Sequence, residues 1–186
     1  MRRLANWAIA FLMTCAVATP ALATTSTTTT TTTEPGACSP YADVVDLSTW
    51  DGMTPVTHDG TTSGTSHQKG TCAYTRSAPE VVYKIVPTFS GDVTVSTCGG
   101  TTDFSTVVYV RRQYCRSTGK APDSTSPGEI ACSDPNKTVN LCDDKNGVKQ
   151  ASTVTITVAS GKTYYVIVDG VKKAKGHFTL TLTKNP

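Results

Sequence analysis

Thr153-Val-Thr-Ile-Thr-Val-Ala-Ser-Gly-Lys-Thr-Tyr-Tyr-Val-Ile-Val-Asp-Gly170 decides the fold class of this chain. Val154, Ile156 and Val158 alternate with threonines, so one face is apolar and the other polar. That period of two marks a half-buried β-strand. The run Tyr164–Val168 is apolar on both faces and suits a strand covered on both sides. Between the two runs lies a short turn, Ala159-Ser160-Gly161-Lys162.

Working outward, the same signal recurs. Val81–Val86 is a strand candidate stopped by Pro87. Asp92–Thr97 alternates after the Ser90-Gly91 turn and ends before Gly99-Gly100. Thr106–Arg111 follows, and His177–Leu182 places Phe178, Leu180 and Leu182 on one face. No segment sustains a helical period with caps. At least six short strands separated by turn residues predict an all-β, antiparallel β-sandwich, with a closed barrel as the alternative. Two regions read as loops. Ser39–Lys69 carries His58-Asp-Gly60 and Ser63-Gly64 turns, with edge strands expected around Val44–Leu47 or Met53–Val56. Arg116–Gln150 holds Pro122, Pro127 and Pro135 and little apolar material. Loops this long are uncommon without a use, which makes both regions candidate binding surfaces.

The first residues carry an export pattern. Arg2 and Arg3 precede the apolar run Leu4–Met13, and Ala21-Leu22-Ala23 is a small-residue cleavage site. The run is shorter than the ~20 residues a bilayer span needs. Residues 1–23 are therefore read as a signal peptide. Leu12-Met13-Thr14-Cys15 supports a second reading, a lipoprotein box with Cys15 lipidated and the chain tethered to a membrane. Residues 24–33 are nine threonines and one serine, with no apolar surface to offset the entropy of ordering. Residues 24–37 are expected to be a disordered linker, and residues 38–186 a single β-sandwich domain. Removing Arg2 and Arg3 from 17 basic residues leaves 15 against 14 acids, because no acid precedes Glu34. A balance so near neutral gives no electrostatic case for nucleic acid or an anionic membrane.

The mature chain holds Cys38, Cys72, Cys98, Cys115, Cys132 and Cys142. An even count in an exported chain predicts disulfides. Zinc fits poorly, for no C-x-x-C pair occurs and no histidine stands at finger spacing from a cysteine. Six cysteines allow 15 pairings, among which sequence does not choose; Cys38–Cys72 would tie down the first loop-rich segment, and Cys115 would then join Cys132 or Cys142 across the long loop. Lysines cluster at Lys172, Lys173 and Lys175, as in a solvated turn.

Catalytic patterns are scarce. His58, His67 and His177 are the imidazoles, and neither G-x-S-x-G nor H-E-x-x-H occurs. Asp59 between His58 and His67 resembles triad material only locally, and triads are not read from local spacing. Asp134, Asp143, Asp144 and Asn146 offer hard oxygen ligands in one loop, a candidate calcium site whose spacing is not that of an EF-hand. The competing reading is a hydrated acidic turn. Trp50, the lone tryptophan of the mature chain, is a ligand platform if exposed and a core plug if buried.

Ala78-Pro-Glu-Val-Val-Tyr83, Ser96-Thr-Cys-Gly99, Phe104–Arg111, Leu141-Cys-Asp-Asp144 and Ala159–Gly170 occur in the order and spacing of a known family. Over about Ala78–Thr183 the chain resembles the bacterial pre-peptidase C-terminal domain. Ser105 stands where that family usually has an aspartate, with Asp103 two residues earlier, and the insert Ser133–Asn140 is unusual. The resemblance implies a secreted, jelly-roll-like, non-catalytic module. Such modules sit beside exported enzymes and are thought to aid secretion, solubility or attachment to substrate, and some in collagenases bind collagen or calcium. The expected function is thus an exported accessory or binding module at the cell surface or outside the cell, secreted or periplasmic unless lipid-anchored, its ligand a protein or a polysaccharide. The alternatives are a small secreted hydrolase and a structural surface protein.

Overall fold

Strands that bury one face must find a second layer, and here they do so in pairs of sheets. The computed structural model describes residues 38, 44–47, 49–73, 77–115, 128–135, 141–142 (backbone) and 151–186. Its strands are β1 (Val44–Asp46), β2 (Val56–Thr61), β3 (Val81–Ile85), β4 (Gly91–Ser96) and β5 (Thr106–Arg112). They continue with β6 (Gly128–Ser133), β7 (Leu141–Cys142), β8 (Ala151–Val158), β9 (Tyr164–Gly170) and β10 (His177–Lys184). No helix occurs among the described residues.

One sheet has the order β1-β3-β9-β5-β6 and the other β2-β10-β4-β8-β7. Setting aside β1 and the two-residue β7 leaves four strands in each sheet. Numbered along the chain, those eight strands read 2-7-4-5 and 1-8-3-6. That is the winding of two Greek keys into a jelly roll. The pairs are antiparallel except β1–β3, which is parallel in the register Val45↔Tyr83.

The opening stretch of sequence accounts for this architecture. β8 alternates buried and exposed, with Val154, Ile156 and Val158 inward and Thr155 and Thr157 outward. β9 is buried along its whole length. The two strands do not form a hairpin: β8 belongs to one sheet and β9 to the other. Gly161, at φ 71°, turns the chain from layer to layer, and its N–H donates to Pro87 O at 2.8 Å. Val166 and Val168 enter the inter-sheet core beside Val108, Val110, Leu180 and Leu182. Each such side chain contributes about 1.5–3 kcal/mol by leaving water.

The other face of β9 needs a separate cover. Tyr165 and Ile167 pack with Val107 and Tyr109 of β5 under Cys38, Ala73 and Cys115. Residues 68–73 thus form a strap across the outer face of the first sheet. Two disulfides tie this layer down, Cys38–Cys115 and Cys72–Cys132. The expected pairing Cys38–Cys72 is therefore wrong, and so is either expected partner for Cys115. Pairing followed the three-dimensional layer: Cys72 lies over β6, which carries Cys132, while Cys38 meets the end of β5. Cys98 is also disulfide-bonded.

Beneath the strap sits a charged pair. Arg111 and Glu129 are 1% and 2% exposed, with Nε and Oε2 3.8 Å apart. Arg111 Nη1 donates to Gln68 Oε1 at 2.6 Å, and Nη2 to Lys69 O at 2.7 Å. Glu129 accepts the Thr71 N–H at 2.8 Å and also the Thr71 hydroxyl. Gly70 is required there, because a Cβ would stand 2.7 Å from the Tyr109 ring and 2.8 Å from Cys132 Sγ.

Other departures from the sequence reading share one cause, pairing partners distant in sequence. His58-Asp59-Gly60 is not a turn but the middle of β2, held by β10 in the register His58↔Leu180. The second early strand starts at Val56 rather than ending there. β6 and β7 lie inside the segment taken as loop. Residues 1–23, including Cys15, and the tract 24–37 lie outside the described residues. So do Asp143, Asp144 and Asn146.

Candidate functional site

The two long sides of the sandwich are built differently. On the β8 side, hydroxyls stitch the layers together. Ser152 Oγ donates to Thr106 O at 2.6 Å and to Ser133 O at 3.2 Å. The Ser152 N–H is held by Thr97 and Thr106 hydroxyls at 3.0 Å each. The opposite side, where edge strand β2 faces β1 and β3, opens into a cleft of about 420 Å³. Val45, Val81, His58, Tyr83, His67 and Glu80 line it.

β2 alternates half-buried and exposed, so Val56, His58 and Gly60 turn inward and Thr57, Asp59 and Thr61 outward. His58 Nδ1 shares a hydrogen bond of 3.2 Å with the Tyr83 hydroxyl across the two sheets. Their rings meet edge to face, with centroids 5.2 Å apart. Gly60 allows this approach: a Cβ there would lie 2.7 Å from the Tyr83 oxygen and 2.5 Å from Phe178 Cζ. Burial, with a smaller contribution from the Asp59 charge, pushes the Tyr83 phenol well above its ordinary value. It stays a neutral donor and acceptor at physiological pH.

Glu80 forms the far wall. Its two oxygens accept the His67 N–H at 2.9 and 3.1 Å, which fixes the segment between β2 and the strap. Burial raises its pKa to about 7, against the lowering effect of N–H donors at His67 and Gln68 and the Arg111 charge. Asp169, at the inner end of β9, is pushed to about 8 by burial, opposed by the Gly170 N–H and reinforced by the Glu80 and Asp134 charges. The cleft thus offers a carboxyl that titrates near neutrality, imidazoles and two aliphatic walls, with the buried Tyr83 phenol behind His58.

Outside the cleft, Asp59 accepts the Thr179 hydroxyl at 2.6 Å, and the Thr61 hydroxyl pairs with His177 Nδ1 at 2.9 Å. His177 is therefore separated from His58 by the thickness of its own sheet. Asp103 accepts the His177 N–H at 2.8 Å and pins the start of β10. Trp50 is 5% exposed, edge-on to Phe89 at 5.2 Å, and its indole N–H donates to Thr54 O at 2.8 Å. It fills the core and presents no platform. Of the four residues considered for calcium, Asp134 is buried directly after β6, and the other three lie outside the described residues. Among the described residues no group of three or more His, Cys, Asp or Glu is disposed to hold a metal ion. Sequence reasoning noticed His58 and His67 but missed Tyr83 and Glu80, whose roles depend on β3 lying opposite β2.

No protein-family model matches the chain. No curated protein matches it either. Among solved structures it is similar to the pre-peptidase C-terminal domain of a collagenase from Bacillus anthracis, at 10% identity and TM-score 0.43, over 76% of this chain and 96% of that one. It is also similar to PliG of Aeromonas hydrophila, a periplasmic inhibitor of g-type lysozyme, at 10% identity and TM-score 0.38, over 77% and 99%. A third is CorA, a surface-associated copper-binding protein of Methylomicrobium album BG8, at 10% identity and TM-score 0.41, over 77% and 100%.

Proposed function

We propose that this chain is an exported, non-catalytic binding module of the pre-peptidase C-terminal kind. In this reading a signal peptide (1–23) and a Thr-rich linker (24–37) precede one sandwich domain (38–186). Its ligand, a protein or a polysaccharide, seats in the cleft between β2 and β1–β3. The cleft's position carries the reading: one side of the sandwich is stitched shut by buried hydroxyls, while the other opens onto a pocket of mixed polar and aliphatic character. The two disulfides support an oxidising compartment. The cleft lining supplies aliphatic and hydrogen-bonding surface for a ligand.

The mature protein, with its disulfides intact, is to be screened on arrays of extracellular polysaccharides and peptides beside a His58→Ala/Glu80→Gln variant. The expected result is retention of a probe by the wild type, loss by the variant and recovery of the probe chemically unchanged. Cleavage of the probe, or equal retention by the variant, contradicts the proposal.

A further inference from the structure

Sheet edges are the natural weak points of a sandwich, and proteins blunt them with short strands, bulges, lysines, prolines or covers. Among the described residues this protein has four such edges. β1 is three residues long and β7 two. β6 is interrupted by a bulge opposite Val110/Arg111 and crossed by the strap through Cys72–Cys132. Among the described residues β2 has none of these devices. It runs six residues in unbroken antiparallel register with β10 and contains no lysine, proline or bulge. Its other side has no strand partner among the described residues.

That bare edge borders the cleft. Val45 and Val81 supply aliphatic surface and His58 a hydrogen-bonding ring, backed by the fully buried Tyr83 whose hydroxyl it already holds. The formal charges on the strand and in the cleft lining are both acidic: Asp59 on the outer face and Glu80 within. Lys172, Lys173 and Lys175 are exposed in the β9–β10 turn, off the strand.

We propose that β2 accepts an extended segment of another extracellular polypeptide as a sixth strand of its sheet, with a lysine or arginine of that segment turned into the cleft toward Glu80. Backbone hydrogen bonds along β2 supply affinity, and alternate side chains of the guest enter the cleft and supply selection. This rests on the cleft being the binding site and names the class of ligand it takes.

The test uses the full mature protein and a displayed library of octapeptides, followed by synthetic copies of the best binder with single N-methyl groups placed along the backbone. Strand addition predicts an alternating pattern. Methylation at every second residue weakens binding on the order of fivefold, the worth of one net hydrogen bond, and the residues between are insensitive. Replacing the guest lysine or arginine by glutamine, or Glu80 by glutamine, weakens binding by a similar factor, and combining the two gives no further loss. Asp59→Pro, which blunts the edge, abolishes binding, and the N-methyl series stands even if that variant does not fold. A binder with no alternating pattern overturns strand addition and leaves the cleft as a binding site. Glycan binding with no peptide enriched overturns the polypeptide guest but not the binding module. A β2-dependent dimer of the protein alone overturns the foreign guest in favour of a second copy. No binder of any kind overturns both.

Discussion

Asp169 and Glu80 are carboxyls that burial holds protonated to higher pH than in the unfolded chain. For each, the folded state binds its proton more tightly, so its contribution to stability is complete at low pH and lost as pH rises. The Asp169 window runs from about 3.8 to about 8, and the Glu80 window from about 4.5 to about 7. The protein should therefore melt higher at pH 5 than at pH 8. Asp169→Asn keeps an oxygen for the Gly170 N–H and removes the titration. It should flatten that dependence and raise the melting temperature at pH 8, and an unchanged slope in thermal melts contradicts the assignment. Arg111 gives a second test at this scale. Arg111→Met leaves Glu129 charged and buried, an expected loss of about 3–5 kcal/mol in urea unfolding. Replacing Glu129 by leucine as well should recover most of the loss.

At the scale of elements, legibility followed periodicity. β4, β5, β8, β9 and β10 announce themselves because their alternation or double burial comes from residues within the strand itself. β2 was hidden because Thr-His-Asp-Gly has turn composition, and only β10, over a hundred residues later, makes it a strand. Gly60 reads locally as a breaker, but its lack of a Cβ admits Tyr83 and Phe178. Gly60→Ala should cost about 1–3 kcal/mol by overpacking and disturb the His58–Tyr83 bond, seen as a changed imidazole signal in NMR. β6 was masked by its charged and small residues, whose burial depends on the strap above. The disulfide pairing failed for the same reason, since the strap is a tertiary layer without a periodic signature. Removing Cys72–Cys132 by paired alanines should cost about 2–5 kcal/mol and loosen the strap.

For the whole molecule, the sequence predicted a disulfide-stapled β-sandwich and left open which side of it carries a cleft. Histidines and acids were visible as residue types, yet which of them share a space depends on how eight strands wind into two layers. The winding brings β2 opposite β3, and so His58 to Tyr83, while it sends His177 to the outer face and Trp50 into the core. Among the described residues the same winding leaves the long β2 edge without a partner strand beside a cleft. Amide hydrogen exchange on the mature protein, resolved by residue across 56–61, tests that claim most directly. Alternate β2 amides are expected to exchange fast in the free protein while those of β10 and β4 are protected, and the fast set is expected to become protected when a guest peptide binds. Uniform protection of β2 in the free protein, or no change on binding, contradicts it.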